Sequence, residues 1–321
     1  MILKLLVIAR NTFTEAIRQP VYAVIMAFAL FLFLMSPSVT MYTLDEDIKL
    51  LREIGLSTLF LSGLFIAIFS ATGAVTEEIE TRTITTVLSK PVSRPTFIAG
   101  KFLGVAAAVG LAHYICTIAL LMTIRHGVLE NVTDTHDWPV LVTAIVVLVT
   151  TLLLTAFLNY TYDWPFGAAG TVILAILSTL GIVFLSVVDS EWRVNPAENH
   201  FEMFEIYGSV LLYMAVIIIV ALAVMFSTRM NLVLTLVCCT SAFLIGLISD
   251  YLFGRFAETA LWAKVGRVIV PNFQVFWISD AIYEGASVPA KYLAVGVVYA
   301  VLYSAGILTL AVALFQKRQV G

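Results

Sequence analysis

The chain has 321 residues, of which 61% are apolar and only 12% charged, with a formal net charge of −3 and a mean hydropathy of +1.01. A soluble domain carries about 25% charged residues, so this chain lacks the polar surface to face water on all sides, and lipid is its solvent. The slightly negative balance gives no footprint for nucleic acid.

Residues 1–20 begin with an apolar stretch, Ile2 to Ala9, that is too short for the core of a cleaved signal and is broken by Arg10, Glu15 and Arg18. Leu3, Leu6, Val7, Phe13 and Ile17 recur at helical spacing, which predicts a short amphipathic helix on the cytoplasmic surface with Lys4, Arg10 and Arg18 toward headgroups. A span needs about 20 apolar residues to cross a hydrocarbon core about 30 Å thick. Eight stretches qualify: Val21–Tyr42, Leu56–Thr76, Phe102–Ile124, Val140–Asn159, Phe166–Val188, Ile206–Phe226, Leu232–Phe253 and Tyr292–Phe315. The expected fold is therefore an all-α integral membrane protein of about eight transmembrane helices forming one permease domain over residues 1–321. Residues 254–291 form its outer loop before the last span.

With the N-terminus inside, the cytoplasmic segments hold Lys4, Arg10, Arg18, Arg82, Lys90, Arg94, Lys101, Arg229, Lys317 and Arg318, ten of the eighteen basic residues. That bias predicts N- and C-termini both in the cytoplasm. Trp138, Trp192, Trp262 and Trp277 fall near span ends or in outer loops, as aromatic belt residues do. Cys116, Cys238 and Cys239 all lie in apolar runs, two of them adjacent, and read as apolar filling rather than a disulfide framework or metal site.

The most polar cytoplasmic stretch, residues 77–95, separates the second and third spans. Thr76 is suited to cap a helix whose first turn holds Glu77, Glu78 and Glu80, the charges favoured at a positive helix end. Ile79, Thr83 and Val87, with Ile84 and Leu88, form one mixed apolar face, and Pro91 and Pro95 stop the helix. A protruding helix with both signs of charge fits a groove on a cytosolic partner. Beyond it, Gly100 and Gly104, continued by Ala108, place small residues four apart, the spacing that allows close helix crossing in lipid with a neighbouring span or a second copy.

The run from Glu77 to Gly104 (EEIETRTITTVLSKPVSRPTFIAGKFLG) resembles the coupling region of type-2 ABC exporter permeases. The nearest group is the permeases of multi-copper-enzyme maturation, that of nitrous oxide reductase maturation among them. The segment from Val270 to Asp280, with Gly285 and Val288-Pro289, and the basic end from Phe315 to Arg318 are similar to later parts of the same family. The resemblance implies a permease that pairs as a homodimer in the inner membrane and binds two copies of a cytosolic ABC ATPase. ATP and Mg would be held by that ATPase, with no cofactor on this chain. It implies a coupling helix over Glu77 to Ser89, with Glu77, Glu78, Glu80, Arg82, Ile84, Lys90 and Arg94 docking the ATPase. The family pattern has six spans; the additional pair here is Val140–Asn159 and Phe166–Val188.

Two rival readings carry different chemistry. Glu77-Glu78 followed by Arg82 also matches the first motif of intramembrane glutamate proteases, but His126, His136 and His200 belong to outer loops across the membrane from Glu77. His113 is the intraspan histidine and reads as hydrogen-bonded to a neighbouring span rather than as a proton relay. The remaining alternative is a membrane scaffold that anchors a cytosolic protein without transport. No phosphate-binding loop is present, so the chain is not expected to be an enzyme by itself.

Overall fold

The computed structural model describes residues 2–41, 47–77, 93–129, 135–196, 201–256, 260–278 and 288–316. Eleven helices carry the described chain: α1 Ile2–Arg18, α2 Pro20–Thr40, α3 Asp47–Thr72, α4 Arg94–His126, α5 Trp138–Tyr162, α6 Phe166–Leu185, α7 Met203–Ser227, α8 Leu232–Leu247, α9 Ser249–Leu252, α10 Leu261–Ile269 and α11 Ala290–Gln316. A π-helical turn, Gly73–Glu77, continues α3. Among the described residues, α2, α3 with its π turn, α4, α5, α6, α7 and α11 are each long and apolar enough to cross a membrane. The chain is thus an all-α integral membrane protein.

Local chemistry sets the helix ends. The Ser93 side chain caps α4 by accepting from the Thr96 backbone N–H, and Pro95 sits in its first turn, where a missing N–H costs nothing. Gly127, at φ 68°, ends the same helix. Asp137 caps α5 through the Val140 N–H at 3.2 Å, and Asn231 caps α8 through the Leu234 N–H at 3.1 Å. Pro95 therefore opens a helix here, whereas its sequence context had placed it as a stop.

The core is centred on α7, whose residues from Leu211 to Met225 are largely buried and which α3, α4, α8 and α11 surround. α2 packs on α3 and α4. The hairpin of α5 and α6 attaches through α6 to α4, and α5 turns Ile145, Val149, Leu152, Leu153 and Phe157 outward as lipid-facing surface.

Contacts between helices fix a common height scale. Arg52 pairs with Glu205 at 2.8 Å, Gly63 lies against Val216, and the Thr72 and Ser227 hydroxyls meet at 3.3 Å, so α3 and α7 run parallel. Gly296 faces Leu211 and Arg229 donates to the Leu314 carbonyl, so α11 runs parallel to both. Arg94, Arg229 and Gln316 consequently share one end of the bundle. Arg52, Glu202, Arg125 and Asp137 occupy the other.

Seven of the eight expected spans are each carried by one helix, and the eighth, Leu232–Phe253, corresponds to a bent pair of helices. Because α7 ends and α11 begins at opposite ends, the chain must cross between them, yet α8 runs only to Leu247. A 16-residue helix rises about 24 Å. The following Ser249–Phe256 is bent by 64° from it, so the expected span Leu232–Phe253 is broken rather than continuous. At Gly246, beside the bend, a Cβ would meet the Pro271 carbonyl oxygen at 2.5 Å, so the returning chain packs directly against the helix there. Trp277, expected at the outer belt, is part of that return and stands edge-on to Phe60, with ring centroids 6.2 Å apart, four residues inside the outer end of the expected span Leu56–Thr76.

Candidate coupling site and its frame

Of the residues assigned to partner docking, Glu78, Glu80, Arg82, Ile84 and Lys90 lie outside the described residues, and Glu77 is described only as the last backbone position of the π turn. Arg94 is described fully. It is the first residue of α4, donates to the Gln316 carbonyl at 2.6 Å and places its guanidinium 5.8 Å from the centre of the Phe315 ring. Phe315 in turn stacks on Phe97 at 5.7 Å. The start of α4 is thus fastened to the end of α11 by a charge-assisted bond to an orphan helix carbonyl.

The other flank of the segment is fastened as well. Thr76 lies inside the π turn, not at a helix N-cap. Its hydroxyl donates to the carbonyls of Ser227 at 3.1 Å and Met230 at 3.3 Å, at the end of α7. The backbone N–H groups it was expected to cap lie outside the described residues, and the hydroxyl hydrogen is directed to α7. π turns inside α-helices are frequent at functional positions. The two described flanks of the segment are therefore both anchored, Thr76 of the π turn to the end of α7 and Arg94 of α4 to the end of α11.

Gly100 and Gly104 lie on the same end of α4, and the helix that meets them is α1. A Cβ on Gly100 would approach Ile8 Cγ2 to 2.7 Å, and one on Gly104 would approach the Ala9 carbonyl oxygen to 2.5 Å. The partner is neither a span nor a second copy. α1 turns Thr12, Ala16 and Ile17 into this seam, and Lys101 lies 3.9 Å from Glu15 across it. Leu3, Leu6 and Val7, expected on the same apolar face as Ile17, are exposed instead. The seam is made by small residues, which the apolar periodicity of α1 did not single out.

Sequence reasoning missed Thr72, Ser227 and Arg229. Each is an ordinary span-end residue until its partner, some 85 to 155 positions away, is known. His113 donates from Nε2 to the Ser209 carbonyl at 2.9 Å, a bond to α7 that fixes its tautomer, and Tyr213 lies beside the ring. Among the described residues, no group of three or more His, Cys, Asp or Glu side chains converges as a metal site would require.

Residues 6–160 match the family model described as ABC-2 family transporter protein. The match ends just short of the middle of the chain and covers the first four expected spans with the intervening polar segment. It supports an ABC-2-type permease, the transmembrane component of an ABC transporter, whose hydrolytic subunit is ordinarily a separate cytosolic chain. No curated protein matches the sequence.

Proposed function

We propose that this chain is the permease subunit of an ATP-driven exporter in the inner membrane, paired as a homodimer and gripped by two copies of a cytosolic ATPase. The observation that carries the reading is the anchoring of both flanks of residues 78–92. Thr76 ties one flank to the end of α7, and Arg94 ties the other to the end of α11. A partner that holds Glu78, Glu80, Arg82, Ile84 and Lys90 has a lever on four helices at once. ATP and Mg belong to that partner, and its closure on nucleotide is the source of movement. The run from Glu77 to Gly104 supports the finer resemblance to the multi-copper-enzyme maturation group. The share of basic residues at the end holding Arg94 and Arg229 supports cytoplasmic termini.

The test is affinity capture of the tagged chain from native membranes, with Glu78→Ala and Arg82→Ala combined as the variant. An ABC ATPase, identified by its phosphate-loop peptide, is expected with the unaltered chain, together with ATP hydrolysis. Both are expected to fall sharply in the variant while yield and elution volume hold. Retention of ATPase and hydrolysis at the unaltered level would overturn the docking assignment. A different cytosolic protein in its place would establish the scaffold.

A further inference from the structure

The α5–α6 hairpin carries a groove on its lipid side. The two helices approach closely at Gly181, where a Cβ would lie 2.9 Å from Thr143 Cγ2 and 3.4 Å from Val147 Cγ2. That contact is the floor. Val146 of α5 and Leu180 of α6 stand up as rims, 55% and 60% exposed. Thr150 and Leu177 line the inner end, Trp192 lines the mouth, and the cavity measures about 320 Å³.

Its depth is that of one leaflet. α5 starts at Trp138, at the end of the bundle that holds Arg125 and Asp137. Thr150 is about 18 Å further along the helix, against about 15 Å for half of the hydrocarbon core. Both rims belong to spans, so the groove opens sideways to lipid. An apolar hollow of this kind stays dry and takes apolar guests. Spread over the roughly 12 Å from Val142 to Thr150, its volume gives a section of about 27 Å², whereas a helix about 10 Å across needs about 80 Å². The groove admits a hydrocarbon chain and excludes a helix.

Trp192 is held at the mouth against its own backbone preference. Its φ is 64°, in the left-handed region that a bulky residue rarely enters. The turn that imposes this is built on Asp189, whose Oδ1 accepts from the N–H groups of Glu191 at 2.9 Å and Arg193 at 2.8 Å. The Asp189 N–H donates to the Arg193 carbonyl and the Asn195 N–H to the Val187 carbonyl, both at 2.9 Å. Arg125 donates to the Val188 carbonyl and ties the turn to the core. Strained backbone of this sort clusters at ligand clamps. Beside Trp192, Arg193 and Glu191 are exposed and pair at 2.8 Å, a cation and an anion at the height of the headgroups.

We propose that this groove binds one acyl chain of a zwitterionic phospholipid. Trp192 closes over the chain at the interface, and Arg193 and Glu191 meet the headgroup phosphate and ammonium. The inference concerns α5, α6 and the turn after them, and it is independent of the ATPase.

The full-length chain, purified in mild detergent with phosphatidylethanolamine, is compared by native mass spectrometry with Trp192→Gly and with Thr150→Trp, which fills the inner end and leaves the turn untouched. One retained phospholipid per unaltered chain is expected, and loss of that lipid in both variants. Glycine adopts a φ of 64° freely, so Trp192→Gly should keep or raise the thermal midpoint while losing lipid, which unfolding would not produce. Absence of lipid from the unaltered chain, equal retention in both variants, or a fatty acid or detergent in its place overturns the proposal. A benzophenone amino acid at Leu180, irradiated in phosphatidylethanolamine nanodiscs, separates lipid from protein as the occupant. A phospholipid adduct stronger than that from Leu153, on the outward face of α5, is expected. A polypeptide adduct, or equal labelling from the two positions, contradicts it.

Discussion

Two glycines with opposite surroundings show how tightly single positions are set. A Cβ on Gly104 would meet the Ala9 carbonyl oxygen and Thr12 Cβ at 2.5 Å, whereas one on Gly306 would meet nothing within 4 Å. Backbone cannot give way as a flexible side chain can, so Gly104→Leu should push α1 off α4. Overpacking of this kind costs about 1–3 kcal/mol. The expected outcome is a lowered thermal midpoint in detergent and faster proteolysis within residues 2–18, while Gly306→Ala leaves both unchanged. The small-residue spacing at Gly100 and Gly104 was legible in the sequence. Its partner was not, because spacing on one helix says that something approaches closely without saying what.

Among elements, the α5–α6 hairpin and the broken α8 differ most from what apolar runs alone convey. Both α5 and α6 were found from hydropathy, since length and composition are all a span needs. What fastens them is a buried charge. The Arg125 side chain is fully buried at the end of α4. It pairs with Asp137 at 3.0 Å and donates to the carbonyls of Leu185 and Val188, so it joins the start of α5 and the end of α6 to the core. Removing one partner of a buried pair costs on the order of 3–5 kcal/mol. Arg125→Met should therefore lower the thermal midpoint well beyond Asp137→Asn, which keeps an acceptor for the guanidinium and for the cap of α5. Scanning fluorimetry of the three proteins checks the order, and equal midpoints would contradict it. The break in α8 escaped sequence reading for a related reason. Residues 232–253 are apolar throughout, and hydropathy carries no record that Pro271 and Phe273 return to pack on Gly246.

At the scale of the molecule, the proposed function draws on the ends of the helices more than on their middles. Thr76, Arg94 and Arg229 each bind the terminal carbonyls of α7 or α11, at the end where the segment 78–92 emerges. The sequence identified that segment through its charges, its prolines and its family resemblance. The anchors on either side required the fold, because they join positions from the first third of the chain to the last. The central proposal is that a cytosolic ATPase grips this segment. It is tested most directly by placing a benzophenone amino acid at Ile84, or at Leu261 on α10, and irradiating intact cells. An adduct containing an ABC ATPase from position 84 and none from position 261 is the predicted result. An ATPase that co-purifies with the chain yet forms no adduct from position 84 would contradict it.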